Sequence, residues 1–188
     1  MEELKNLLFS NLSTKQIILK NAFWLYISEA ISKGFRLLVL IYIIRVLGPT
    51  NFGIYEYLFS FVGMFFLFAD FGTSYIFIRD YQQKEEKENH INTFFSLKIF
   101  LSFIFSILAL LGYFWVKKYD GFLFYLIVVL FYFLMNIESF FESFFIAVQK
   151  TEKKFFFNLF MSLSLFLFII FGLSVHKSIL IVILSYLF

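Results

Sequence analysis

The sequence contains no cysteine. Disulfides, thiol nucleophiles and cysteine-ligated metals are therefore excluded. There is one proline, Pro49, and only eight glycines in 188 residues, so breaks in regular structure can arise at few places. Charge is scarce as well, at 15% of residues with a net of +3. So mild a balance gives no basic surface for nucleic acid, and it matters only in where the positive residues sit. The two histidines, His90 and His176, fall in polar breaks without ligand-spaced partners. Neither a Gly-rich phosphate loop nor the acid-rich DxD-type loop of membrane glycosyltransferases occurs. No catalytic motif, metal or cofactor is expected, and the reading is of a non-enzyme.

What fills the chain is apolar. Hydrophobic residues make up 61% and aromatic residues 24%, with 33 phenylalanines, and mean hydropathy is +0.85. A soluble domain of this size needs a polar exterior that such a chain cannot supply. Its solvent is lipid. The expected fold class is all-α: a polytopic transmembrane bundle forming one membrane domain, 1–188. Helices are predicted at about 17–47, 52–78, 91–116, 122–148 and 155–175, each long enough to cross. Segment 1–16 reads as interfacial or cytoplasmic, because Leu4, Leu7, Leu8 and Leu12 recur at helical spacing and no cleavage signal follows. Segment 178–188 is about half a span and stops without a polar flank, which reads as the front part of a longer protein. Lys and Arg divide unevenly between the two sides. One side carries Lys5, Lys15, Lys20, Arg79, Lys84, Lys87, Lys150, Lys153 and Lys154. The other carries Arg45, Lys117, Lys118 and Lys177. The positive-inside rule then puts the amino terminus in the cytoplasm.

Charge inside a spanning helix is costly and by default faces a protein interior or a wet cavity. Glu29, Lys33 and Arg36 share one face of the first helix. Glu29 before Lys33 is the favourable order for an ion pair. That pairing leaves Arg36 as the net cation, and its planar fork suits phosphate. The second helix carries a stripe of Glu56, Ser60, Gly63, Leu67, Asp70 and Ser74, the side turned from lipid. Asp70 is read either as part of a transport path with Glu29, Lys33 and Arg36, or as a counter-ion for Arg36 or Lys98. Lys98 is expected to snorkel to the cytoplasmic interface. Ser102, Ser106 and Ala109 read as a packing seam. On the fourth helix Glu138 and Glu142 share one face, and Asn136, Ser139 and Ser143 another. That half-helix is expected to border a water-filled vestibule, with Glu138 and Glu142 as candidates for proton or sodium coupling.

The segments Asn21-Ala22-Phe23-Trp24, Arg45-Val46-Leu47-Gly48-Pro49-Thr50-Asn51-Phe52-Gly53-Ile54-Tyr55, Phe68-Ala69-Asp70-Phe71-Gly72-Thr73 and Arg79-Asp80 together resemble the start of the polysaccharide (O-antigen type) flippase family. Phe145-Ile146-Ala147-Val148-Gln149-Lys150 resembles that family's exit from helix 4. The resemblance implies two pseudo-symmetric six-helix lobes around a central cavity. It also implies transfer of an undecaprenyl-pyrophosphate-linked oligosaccharide across the bacterial or archaeal plasma membrane by alternating access. This chain would be nearly one lobe, with the carboxy-terminal lobe missing. Two alternatives stand beside it. A multidrug or cation antiporter of the same superfamily would use exposed carboxylates. An integral-membrane glycan polymerase or ligase would need a large extracytoplasmic loop, and the loops here are short.

The charge asymmetry makes a direct prediction of topology. In intact cells, single cysteines at Lys87 and Lys153 should be shielded from an impermeant thiol reagent, and one at Lys118 should react. The opposite labelling pattern would invert the orientation.

Overall fold

The computed structural model describes residues 14–83, 87–116, 121–175 and 178–186. Most of the interfacial segment, Lys84, the connection with Lys117 and Lys118, and His176-Lys177 lie outside the described residues. Six helices follow in order: α1 Thr14–Phe66, α2 Thr73–Tyr81, α3 Lys87–Val116, α4 Phe122–Ala147, α5 Thr151–Val175 and α6 Ile179–Ser185. No strand occurs among the described residues. Four of the six, α1, α3, α4 and α5, are long and apolar enough to cross a membrane.

The turn expected over 48–53 is tighter than its sequence suggests. Helical geometry inside α1 fails only at Gly48, with φ 75° and ψ 168°. A side chain is strained at that φ, and glycine is not. Pro49 follows at the first position of the second arm, where a missing N–H costs nothing. Asn51 donates from Nδ2 to the Leu47 carbonyl at 3.2 Å, satisfying an acceptor stranded by the end of the first arm. α1 is thus two arms, 14–47 and 49–66.

Contacts elsewhere show that the arms run in opposite directions. The first arm lies parallel to α5, since Asn21 meets Thr151, Ser28 meets Asn158 and Ser32 meets Ser162, each pair 130 residues apart. α5 runs against α4: Glu142 pairs with Lys154, while Phe131 shares a cavity wall with Leu165. α4 runs against α3, with Tyr113 on Phe122 and Phe95 on Phe140. α3 runs against the second arm and α2, with Phe71 on Phe105 and Ser74 on Lys98. Reversal at Gly48 closes this loop, so α1 makes two passes and the helices from α1 to α5 make five among the described residues.

The second pass is not one helix over 52–78. It ends at Phe66 and restarts at Thr73. Phe71 (φ 43°) and Gly72 (φ 73°) are both left-handed. Gly72 is the N-cap of α2; glycine adopts that geometry freely, but for Phe71 a positive φ carries strain. α3 and α5 begin about one turn earlier than predicted. His90 is therefore not in a loop: it is buried on the first turn of α3, stacked on Phe77 at 5.6 Å.

Two apolar cores result. The larger joins Val39, Ile43, Tyr55, Val62, Val128 and Ile169, among others. The smaller joins Phe77, Phe140 and Ala147 with Tyr81, Phe94 and Phe144 around them. The break in the second pass falls between the two.

Where helices come closest, glycine is required. A Cβ on Gly63 would lie 2.6 Å from the Tyr132 hydroxyl. That ring cannot swing away freely, because it donates to the Phe59 carbonyl at 3.0 Å and stacks on Phe66 at 5.5 Å. A Cβ on Gly34 meets nothing within 4 Å. Gly63→Ala should therefore cost about 1–3 kcal/mol through overpacking. Gly34→Ala should be neutral or stabilising by up to about 1 kcal/mol through helix propensity. Unfolding midpoints in detergent micelles check this; equal midpoints for the two variants would overturn the close approach.

Candidate functional site

A polar layer separates the two cores. Asp70, in the break, accepts through Oδ1 from the Lys98 ammonium, from Ser74 Oγ at 2.6 Å and from Thr73 Oγ1 at 3.3 Å. Lys98 also donates to Ser74 Oγ at 3.0 Å and is 2% exposed. Lys98 does not snorkel to the interface. A carboxylate one helix away offers a shorter route to a partner than stretching through apolar surroundings. One turn on, Ser102 Oγ donates to the Lys98 carbonyl at 2.7 Å. Of the two counter-ions considered for Asp70, the structure selects Lys98, not Arg36.

A cavity of about 430 Å³ opens on this layer. Gly63, Leu67, Asp70 and Ser74 line it from the broken pass, and Asn136, Ser139 and Ser143 line it from α4. The expected stripe is therefore realised from Gly63 onward, whereas Glu56 and Ser60 lie outside this lining. Ser139 and Ser143 each donate to a carbonyl about one turn back, at 2.7 and 2.8 Å. Their lone pairs are left for the cavity. Asn136 Oδ1 is buried without a partner among the described residues.

A second cavity of about 280 Å³ holds Arg36 and Glu138, with Ser32 and Ser162 beside them. Arg36 comes from the first arm and Glu138 from α4. Arg36 is exposed and has no ion pair within 4 Å among the described residues. Its neighbours on the same helix behave as expected: Lys33 and Glu29 pair at 3.4 Å, both exposed. Neither lines this cavity. Glu138 and Glu142, predicted to share a face, are used differently. Glu142 pairs with the buried Lys154 at 3.1 Å, tying α4 to the start of α5. Ser102 and Ala109 are fully buried, and the Tyr125 hydroxyl donates to the Ala109 carbonyl, so that seam packs α3 on α4.

Two groups of residues escaped the sequence reading. One is the ladder between the first arm and α5: Thr151 to Asn21 at 2.9 Å, Asn158 to Ser28 at 3.2 Å and Ser162 to Ser32 at 3.4 Å. Lys20 with Glu152, at 3.6 Å, extends it. The signal was present, since 21, 28, 32 and 151, 158, 162 have identical intervals. The other group is the aromatic wall of the second cavity, which includes Tyr55, Phe59, Phe131 and Tyr186.

These features define a multi-pass helical membrane protein with largely apolar cavities between its passes, each bearing a few polar side chains. The whole of 18–188 matches the sequence family described as polysaccharide biosynthesis protein, and the chain belongs to that family. No curated protein and no solved structure matches.

The Asp70–Lys98 pair is testable as a pair. Lys98→Met leaves Asp70 uncompensated and should cost about 2 kcal/mol, less than the roughly 3–5 kcal/mol of a fully buried pair because Asp70 is partly exposed. Adding Asp70→Asn should recover most of that loss. A double-mutant cycle on unfolding in micelles measures it, and simple additivity would show that the two side chains do not interact.

Proposed function

We propose that this protein is a flippase, not an enzyme, that carries a polyprenyl-pyrophosphate-linked oligosaccharide, of the undecaprenyl type, from the inner to the outer leaflet. The setting is a bacterial or archaeal plasma membrane with the amino terminus in the cytoplasm, and the product feeds surface-polysaccharide synthesis such as lipopolysaccharide. Membership of the polysaccharide biosynthesis family supports the pathway. One observation carries the substrate: Arg36 stands about midway along the first arm, exposed, at a cavity, with no ion pair within 4 Å among the described residues. A guanidinium at that depth costs at least about 2.5 kcal/mol on insertion scales unless it is answered. A pyrophosphate answers it with two parallel hydrogen bonds. Lys33 and Glu29 neutralise each other on the same helix and leave Arg36 as the net cation for the substrate. In this reading Asp70 and Lys98 hold the broken pass together, and Asn136 borders the vestibule. Glu138 and Glu56 are the carboxylates available to a coupling proton or sodium ion. A second lobe would complete the path around the substrate.

A cation antiporter of the same superfamily remains the second reading, because Glu138 faces the same cavity as Arg36. The two differ at Arg36, which an antiporter of cationic drugs does not need.

Arg36→Ala should lower surface glycan in a flippase-null strain to about a tenth or less, the loss of a charge-assisted bidentate contact. Membrane levels of the protein should be unchanged. Arg36→Lys should rescue in part, keeping the charge without the fork. Full export by Arg36→Ala at normal protein level would remove Arg36 from the substrate path. Loss of the protein itself would mark Arg36 as structural.

A further inference from the structure

We propose that the cavity beside Arg36 is a subsite for one pyranose ring, the sugar joined to the pyrophosphate of the lipid-linked substrate. The inference rests on the reading of Arg36 as the pyrophosphate ligand. Three observations carry it beyond that reading.

The first is a rigid aromatic wall. Phe59, Phe131 and Tyr186 meet in a triangle of ring centroids at 5.4, 5.2 and 5.1 Å. Tyr55 packs on Phe59 at 4.6 Å. The hydroxyls lock the arrangement: Tyr55 donates to Tyr186 at 2.8 Å, and Tyr132 donates to the Phe59 carbonyl at 3.0 Å. These rings come from the second arm, α4 and the segment closing α6, so the wall is set by tertiary packing and is in place before a ligand arrives. Preformed aromatic faces suit the C–H face of a sugar ring.

The second is the polar edge. Arg36, Glu138, Ser32 and Ser162 line the same cavity as the rings. Tyr186 accepts from Tyr55, which leaves its own hydroxyl proton to donate. Glu138 has no ion pair within 4 Å among the described residues. Donor and carboxylate acceptor thus flank an aromatic wall whose rings are inclined to one another by 52–73°, and a ring of hydroxyls on a C–H frame needs both such a wall and such an edge. A prenyl chain in this place would strand these polar groups against hydrocarbon, at a cost.

The third is size and position. About 280 Å³ lies at the small end of ligand cavities. One ring fits where an oligosaccharide does not. Because Arg36 borders the cavity, a phosphate on the guanidinium and a ring on the wall are neighbours, as they are in a sugar pyrophosphate.

The test compares two probes on the full chain in lipid nanodiscs: farnesyl pyrophosphate, and farnesyl pyrophosphate bearing one N-acetylglucosamine. The sugar-bearing probe should bind about tenfold more tightly, the scale of one good aromatic contact with its hydrogen bonds. Phe131→Leu should reduce that ratio to about one and leave farnesyl pyrophosphate binding unchanged, which also shows that the variant is folded. Tyr186→Phe, which keeps the ring and removes the hydroxyl, should reduce the ratio in part. Arg36→Ala should weaken both probes alike. Equal affinity of wild type for the two probes would overturn the subsite while leaving Arg36 as a pyrophosphate ligand. Equal weakening of both probes by Phe131→Leu would assign the wall to the prenyl chain, and an unchanged ratio in Tyr186→Phe would remove the hydroxyl from the sugar contact; either overturns the proposal as stated. Binding of neither probe would overturn both the subsite and the flippase reading.

Discussion

Hydrocarbon offers a polar side chain no partner, so a chain that crosses it must answer its polar groups from within. That constraint orders most of this structure. The Lys98 ammonium is answered by Asp70, Lys154 by Glu142 and Lys20 by Glu152. Ser28 and Asn158 answer each other, as do Asn21 and Thr151. Serines that find no side chain donate to a backbone carbonyl about one turn back, as Ser102, Ser139 and Ser143 do. Each of these bonds is modest in a membrane, averaging about 0.6 kcal/mol in measured cases. Their collective effect is to fix rotation: a helix that turned about its axis would present several unanswered groups at once.

Against that background Arg36 is an exception. It combines a permanent charge, mid-helix depth and exposure, with no ion pair within 4 Å among the described residues. The broken second pass is a different exception. Its strain at Phe71 is held by packing on Phe105 at 5.9 Å and by the bonds that converge on Asp70. Discontinuous helices are tolerated at membrane depth where they border protein or a wet cavity, and this one borders the 430 Å³ cavity.

How much of this was legible follows from the range of each interaction. The passes were legible because lipid thickness imposes a length on every apolar run. Gly48-Pro49 marked the reversal because its chemistry is local. Glu29–Lys33 was legible for the same reason, as a pair one turn apart. Asp70–Lys98 spans 28 residues and two passes, so the residues could be named but the pairing could not be chosen. Only packing decides which faces of two helices meet. The break at Phe71 was hidden because hydropathy does not register φ, and Phe68 and Phe71 read as more of the same apolar run. The aromatic wall was hidden by abundance: among 33 phenylalanines, Phe59 and Phe131 carry no contrast. The cation beside them did, because charge is rare here.

The ladder between the first arm and α5 has a consequence in time. Its partners lie 130 residues apart, with three passes between them. At about 5–20 residues per second, the ribosome reaches Asn158 on the order of ten seconds after Ser28. Through that interval Lys20, Asn21 and Ser28 have entered or approached the bilayer without their eventual partners. The first arm must wait beside the insertion machinery, or be held by its neighbour across Gly48, until α5 arrives. The first arm to be made is therefore fastened late in biogenesis, by a pass that leaves the ribosome after three others.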